Sequence, residues 1–208
     1  MRMRSVRGFY FITGGALSRR GDVADVRVAL RAGVRVVQYR DKDASSAVMY
    51  RKARVLKRLC GGALFIVNDR IDIAMAAGAD GVHLGQDDMP LAAARQILGK
   101  RKIIGISVRT VRQARQAVAG GADYLGVGPV FTTATKADAG RPRGLGLIKR
   151  IRAEFDIPLV AIGGISLDNA SSVIAAGADA LCAISAIVAR RDIAVRIKAF
   201  QKLFGPIR

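Results

Sequence analysis

The chain has 208 residues, 51% hydrophobic and 25% charged, a balance that excludes a disordered tail, a collagen-like rod or a mucin-like stalk. Lys and Arg number 35 against 16 Asp and Glu; the formal charge of +19 attracts anions, from phosphorylated metabolites to nucleic acid or a membrane surface, and says nothing of the fold. One histidine, His83, and two cysteines, Cys60 and Cys182, are too few for a zinc site, and the cysteines read as buried, reduced thiols.

The basic residues 1–7 are followed by an apolar stretch that Gly14 and Gly15 break, so no secretory signal is expected. No apolar run approaches a membrane span. A cytoplasmic protein is expected. No linker or low-complexity run divides the sequence, so residues 1–208 are read as one domain.

In chain order, short apolar runs at 9–12, 34–39, 64–67, 81–84, 103–107, 124–127, 159–162 and 180–184 read as strands buried on both faces. Amphipathic stretches lie between them. Ile71, Ala74 and Met75 share a helical face that Gly78 ends. Pro90 opens a helix and Gly99 closes it. Ile193, Ile197, Phe200 and Phe204 form the face of a last helix, with Asp192 as its N-cap. Gly-Ala-Asp recurs at 78–80, 121–123 and 177–179, each time between a helix and a strand, with a weaker copy at Ala32-Gly33. Eight strands alternating with helices predict an α/β fold, a (β/α)8 TIM barrel. An open doubly wound sheet is the alternative that periodicity leaves standing.

In both architectures ligands bind at the carboxyl ends of strands, and the unusual polar residues fall there. Gln38, Arg40 and Lys42 alternate with period two and share a face if the strand persists. Alone they read first as a solvated strand end; a phosphate or pyrophosphate among them is the other reading. Asp69 and Asp88 end successive strands. Either one alone reads as a helix cap. Together, beside a basic pocket, they read as ligands of one hard cation, Mg2+. Thr133, Thr135 and Lys136 belong to a long loop, 128–143, that reads as a phosphate-binding lid or a basic surface loop. Gly163-Gly164, and Ile184-Ser185 before the last helix, suit a backbone phosphate cup. His83 reads as structural rather than as a catalytic base, and no nucleophile motif supports acyl transfer. Two anion sites in one mouth suggest joining two phosphorylated ligands, with pyrophosphate leaving.

Seven segments carry a resemblance. They are Val37-Gln38-Tyr39-Arg40-Asp41-Lys42, Asn68-Asp69-Arg70, residues 81–88, residues 126–131, Thr133-Ala134-Thr135-Lys136, residues 161–165, and Ile184-Ser185-Ala186-Ile187. In this order, from Tyr10 to Ile187, they resemble the thiamine-phosphate synthase family. The resemblance implies a (β/α)8 barrel transferase. It would join 4-amino-2-methyl-5-hydroxymethylpyrimidine diphosphate to a thiazole phosphate, or its carboxylated form, giving thiamine phosphate and pyrophosphate. It further implies that pyrophosphate leaves first and that the thiazole nitrogen attacks a pyrimidine carbocation.

Carried over by position, Asp69 and Asp88 would bind Mg2+. Arg40, Lys42 and Lys136 would hold the pyrophosphate with Asn68 beside them, and Gln38 and Ser107 would contact the pyrimidine. Arg40, Lys42, Ser107 and Lys136 would be the catalytic set. Thr133 and Thr135 would line the thiazole side, and Gly164, Ile184 and Ser185 would hold its phosphate through backbone N–H groups. The related thiazole tautomerase lacks the Asn-Asp-Arg and Gln-x-Asp patterns and uses a histidine where this chain has Arg109, which favours the synthase. Two positions depart from the family: Gly14 stands where an aspartate is usual, and Arg109 where a small residue or histidine is common.

Small phosphorylated substrates are the expected partners, with no membrane and no nucleic acid; a homo-oligomer is left open. The competing readings are an isomerase or lyase on a phosphorylated metabolite in the same barrel, and a nucleic-acid-binding protein suggested by the charge alone.

Overall fold

The computed structural model describes residues 6–133, 135 and 140–205. Each predicted apolar run forms a strand: β1 (Gly8–Ile12), β2 (Val36–Tyr39), β3 (Leu64–Asn68), β4 (Gly81–Leu84), β5 (Ile103–Val108), β6 (Tyr124–Val127), β7 (Leu159–Ile162) and β8 (Ala180–Cys182). All pair in parallel with their sequence neighbours, and β1 pairs with β8, so the sheet closes into a barrel. That closure excludes the open sheet.

The strands alternate between two apolar environments, as side chains of period two must. On β1, Phe9 and Phe11 face the helices, whereas Tyr10 and Ile12 join Val36, Leu64, Ile66, Tyr124, Val160 and Cys182 inside the barrel. The larger outer layer packs against α1 (Asp22–Arg31), α2 (Ser46–Cys60), α3 (Ile71–Ala76), α4 (Leu91–Leu98), α5 (Val111–Ala119), α6 (Gly144–Glu154), α7 (Leu167–Ala175) and α9 (Ile193–Lys202). A short α8 (Ser185–Val188) interrupts the path from β8 to α9. Among the described residues no helix is long and apolar enough to cross a membrane. Cys60 and Cys182 are free and buried, in the outer and inner layers respectively.

Some expectations need correction. β2 starts at Val36, because Val34 N–H still donates to Ala29 O in closing α1. β8 stops at Cys182, since Ile184 is already helical, with φ −80° and ψ −70°. Met75 is 52% exposed, and Ile73 takes its place in the core of the short α3. Asp192 does occupy the N-cap of α9, but its carboxylate accepts from Arg196 Nε at 2.9 Å instead of capping the helix.

The Gly-Ala-Asp repeat has a structural cause at the amino end of the barrel. Asp80, Asp123 and Asp179 each accept a backbone N–H from the start of the preceding strand: Phe65 (2.8 Å), Ile104 (2.7 Å) and Leu159 (2.8 Å). Each also pairs with a cation from the helix before that strand, namely Lys57, Arg95 and Arg152. Arg95 and Arg152 donate in addition to the carbonyls of Gly121 and Gly177. In the weak copy Arg35 replaces the aspartate. There Gln201 of α9 supplies both halves: Oε1 accepts from Phe9 N–H at 3.1 Å, and Nε2 donates to Gly33 O at 3.0 Å. One amide thus does the work of an Asp–Arg pair at the seam where α9 closes the barrel.

Candidate active site

The carboxyl ends of the strands open into a cavity. Gln38, Arg40, Asn68, Ser107, Thr133, Thr135, Gly164, Ile184 and Ser185 all line it, so nine of the residues singled out in the sequence share one cavity. Lys136 lies outside the described residues, as do the neighbouring positions 134 and 137–139.

Gln38 is the last inward residue of β2 and is 2% exposed. The strand ends at Tyr39, so the period-two argument does not reach Lys42. Arg40 is fixed instead by Thr13, whose Oγ1 accepts from Arg40 N–H at 2.9 Å and donates to Arg40 O at 3.1 Å. Lys42 extends toward the next strand end, with Nζ 3.7 Å from Asp69 Oδ2. Between them Asp41 turns away toward Lys52, which also pairs with Asp22 of α1.

Asp69 and Asp88 do not line this cavity: Asp69 follows its lining residue Asn68, and Asp88 lines a second recess with Gly85 and Gln86. Neither caps a helix: the N-caps of α3 and α4 are Arg70 and Pro90. Asp69 has φ 61°, rare for a side chain other than glycine. Its N–H is tied to His83 O at 2.9 Å. Asp88 Oδ2 accepts from Gly85 N–H at 2.6 Å. Burial, reinforced by the facing Asp88 carboxylate, pushes Asp69 up to about 6, against the pull of Lys42 and Arg40. Two carboxylates forced together in this way fit a hard divalent cation, which would relieve their repulsion. Among the described residues no group of three or more His, Cys, Asp or Glu forms a complete cage. A cation here would fill its shell with water or substrate oxygens.

On the opposite side Thr135 Oγ1 donates to Ser185 Oγ at 3.2 Å, joining the loop after β6 to the start of α8. β6 ends at Val127 and α6 starts at Gly144, the bounds expected for this connection. The glycine pair serves this loop before any ligand. Gly163 and Gly164 have φ 102° and 63°, and a Cβ on either would strike Pro129 at 2.6 Å or Thr132 O at 2.5 Å. The loop is laced to β7 by Val130 N–H to Ile162 O and Phe131 N–H to Gly163 O. Gly14 is explained similarly: a Cβ there would lie 2.5 Å from Val188 Cγ2 of α8. Arg109 lines the cavity.

Two candidates, Tyr10 and Tyr124, escaped the sequence reading, and a third, His83, was read as structural. Tyr10, Tyr124 and His83 line the cavity floor and are bonded to one another and to Gln38 and Ser107. The usable signal was the inward parity of Tyr10 on β1 and Tyr124 on β6. A phenol inside a barrel must find a partner for its hydroxyl.

Closed parallel barrel and polar mouth together define a (β/α)8 barrel with a polar cavity at the carboxyl ends of its strands. Residues 9–187 match the family described as thiamine monophosphate synthase, and the chain belongs to that family; like its relatives named thiamine-phosphate synthase, it is a transferase. It is 51% identical over 193 residues to a thiamine-phosphate synthase of Methanosarcina barkeri, covering 92% of this chain and 88% of that one. It is 50% identical over 199 residues to that of Methanospirillum hungatei, covering 94% and 97%. Among solved structures, the thiamine phosphate pyrophosphorylase from Pyrococcus furiosus superposes with a TM-score of 0.88 at 39% identity, over 98% of both chains.

Proposed function

We propose that this enzyme joins the hydroxymethylpyrimidine diphosphate to the thiazole phosphate, or to its carboxylated form with loss of carbon dioxide, releasing pyrophosphate in an Mg2+-assisted, dissociative reaction in the cytoplasm. One observation carries the reading. A single cavity has Arg40, with Lys42 and the Asp69–Asp88 pair beside it, on one side, and the Thr135–Ser185 contact on the other.

Arg40 offers a guanidinium fork and Lys42 a point charge to the diphosphate, with Asn68 beside them; Lys136 is assigned the same task. Asp69 and Asp88 would hold Mg2+, which when bound supplies positive charge to the leaving pyrophosphate. The bond between the pyrimidine methylene and the diphosphate oxygen breaks, and its electron pair leaves with pyrophosphate. The cations stabilise the charge that develops there. Gln38 and Ser107 orient the pyrimidine. Thr133 and Thr135 line the thiazole side, and the backbone at Gly164, Ile184 and Ser185 receives the thiazole phosphate. The thiazole nitrogen then forms the new C–N bond with its own lone pair, so no general base is required.

Pyrophosphate release tests the reading directly. Release that needs both substrates and Mg2+, with thiamine phosphate as product, is the expected result. A folded protein that releases none would overturn it.

A further inference from the structure

Four hydrogen bonds link five side chains across the inside of the barrel. Gln38 Nε2 donates to Tyr10 Oη at 2.8 Å. Tyr10 Oη and Tyr124 Oη are 2.8 Å apart. Tyr124 Oη is 2.9 Å from His83 Nδ1, and His83 Nε2 is 2.9 Å from Ser107 Oγ. Gln38, Tyr10 and Tyr124 are each at most 2% exposed, so water does not compete along the first half of the chain.

Space for the chain is built into the neighbouring strands. A Cβ on Gly105 of β5 would fall 2.0 Å from Tyr124 Cζ, and one on Gly126 of β6 would fall 2.8 Å from His83 Cε1. Both rings fill volume that these glycines vacate.

One direction leaves every buried hydroxyl hydrogen with an acceptor. An amide nitrogen only donates, so Tyr10 oxygen accepts from Gln38. The single Tyr10 hydroxyl hydrogen then goes to Tyr124, whose own hydrogen goes to His83 Nδ1. Burial raises both phenols well above their ordinary titration range, so each keeps its hydrogen. With Nδ1 accepting, the neutral imidazole carries its proton on Nε2 and donates to Ser107 Oγ. The Ser107 hydrogen is left for the cavity that Ser107 lines.

We propose that Tyr10, Tyr124 and His83 are positioning residues: a one-way chain that holds Ser107 as a hydrogen-bond donor toward an acceptor nitrogen of the pyrimidine ring. The functional half of this rests on the assignment of Gln38 and Ser107 to the pyrimidine; the direction of the chain does not. Reversal would turn Ser107 into an acceptor, which matches ring nitrogens badly.

His83 is the sole histidine, so a protein labelled with [15N]histidine gives one imidazole spectrum. At pH 8 and without substrate, the Nε2–H tautomer is expected. An Nδ1–H tautomer or an imidazolium overturns the proposal. Gln38→Glu at pH 9 replaces the donor by a carboxylate that only accepts, so the whole chain should reverse and His83 should carry its proton on Nδ1. Retention of Nε2–H in that variant overturns the directional coupling. If Gln38→Glu fails to fold, the wild-type tautomer still decides.

For the functional half, Tyr124→Phe should raise KM for the pyrimidine diphosphate about five- to tenfold, the effect of one misdirected hydrogen bond, and leave KM for the thiazole phosphate unchanged. In a Ser107→Ala background the same change should have no further effect. Equal losses for both substrates, or additive losses, would reduce Tyr124 to a packing role. A failed synthase assay leaves the tautomer result intact, so the two failures are told apart.

Discussion

Thr13 and Arg40 are bound to each other twice, the threonine hydroxyl accepting from the Arg40 N–H and donating to the Arg40 carbonyl. Thr13 is 2% exposed, and its own N–H continues the ladder to Gln38 O. The backbone that carries Arg40, the cation proposed for the diphosphate, is therefore fixed by a residue that belongs to the neighbouring strand end.

Thr13→Val keeps the shape and removes both bonds. The expected cost is about 1–3 kcal/mol of stability, because a buried N–H and a carbonyl lose their partner. The KM for the pyrimidine diphosphate should rise more than that for the thiazole phosphate. Urea unfolding and separate substrate titrations check the two effects; a destabilised enzyme with both KM values unchanged would sink the positioning role.

Asp69→Asn and Asp88→Asn should each lower turnover on the order of a hundredfold while leaving the circular dichroism spectrum intact. The loss should be concentrated in the response to Mg2+, and chelation of wild type should mimic it. Wild-type-like Mg2+ titrations in both variants would remove these carboxylates from the metal site.

The Asp22–Lys52–Asp41 bridge gives a pH prediction. Burial pushes Asp41 up, but the Lys52 ammonium and the N–H groups of Asp43 and Ala44 outweigh it, and the carboxyl ends below its ordinary range. A carboxyl that titrates lower when folded stabilises the fold above its unfolded pKa, near 4, and loses that contribution as pH falls through the folded value. Lys52→Met should therefore cost about 1–3 kcal/mol at pH 7, reduced from a fully buried pair because Lys52 is partly exposed. The gap from wild type should narrow below pH 4. A gap that is constant from pH 7 to pH 3 would contradict the assignment.

Asp179 and Asp156 both lie near Arg152 but should behave oppositely. Asp179 accepts the Leu159 N–H as well as the guanidinium, whereas Asp156 is fully exposed and 3.6 Å from Arg152. Asp179→Ala should cost about 2–3 kcal/mol and Asp156→Ala no more than about 0.5 kcal/mol. Thermal or urea melts of the two variants decide, and equal losses would refute the role given to the repeat.

Local pattern was enough for the strands, while the choice between a barrel and an open sheet fell to closure. The apolar runs located all eight strands, three of them with the observed ends, and Pro90 and Gly99 bounded α4 correctly. The repeated Gly-Ala-Asp was visible, but its function was not, since the N–H groups of Phe65, Ile104 and Leu159 lie on strands 15 to 20 residues earlier. No period could reveal that Gln201 stands in for the missing fourth aspartate, because its partners Phe9 and Gly33 are 192 and 168 residues away.

The same division holds at the site. Residue type and position after a strand were sufficient to select Gln38, Arg40, Asn68, Ser107, Thr135 and Ser185, because every strand of a parallel barrel ends on the same rim. Which partners meet there depends on closure of the barrel. Closure pairs Lys42 with Asp69 and joins Thr135 to Ser185 across the loops. It also shows which partners satisfy His83, Tyr124 on one ring nitrogen and Ser107 on the other. Periodicity is a property of neighbours along the chain. Hydrogen-bond direction and carboxylate repulsion are properties of neighbours in space, and these exist only once the eight strands have closed.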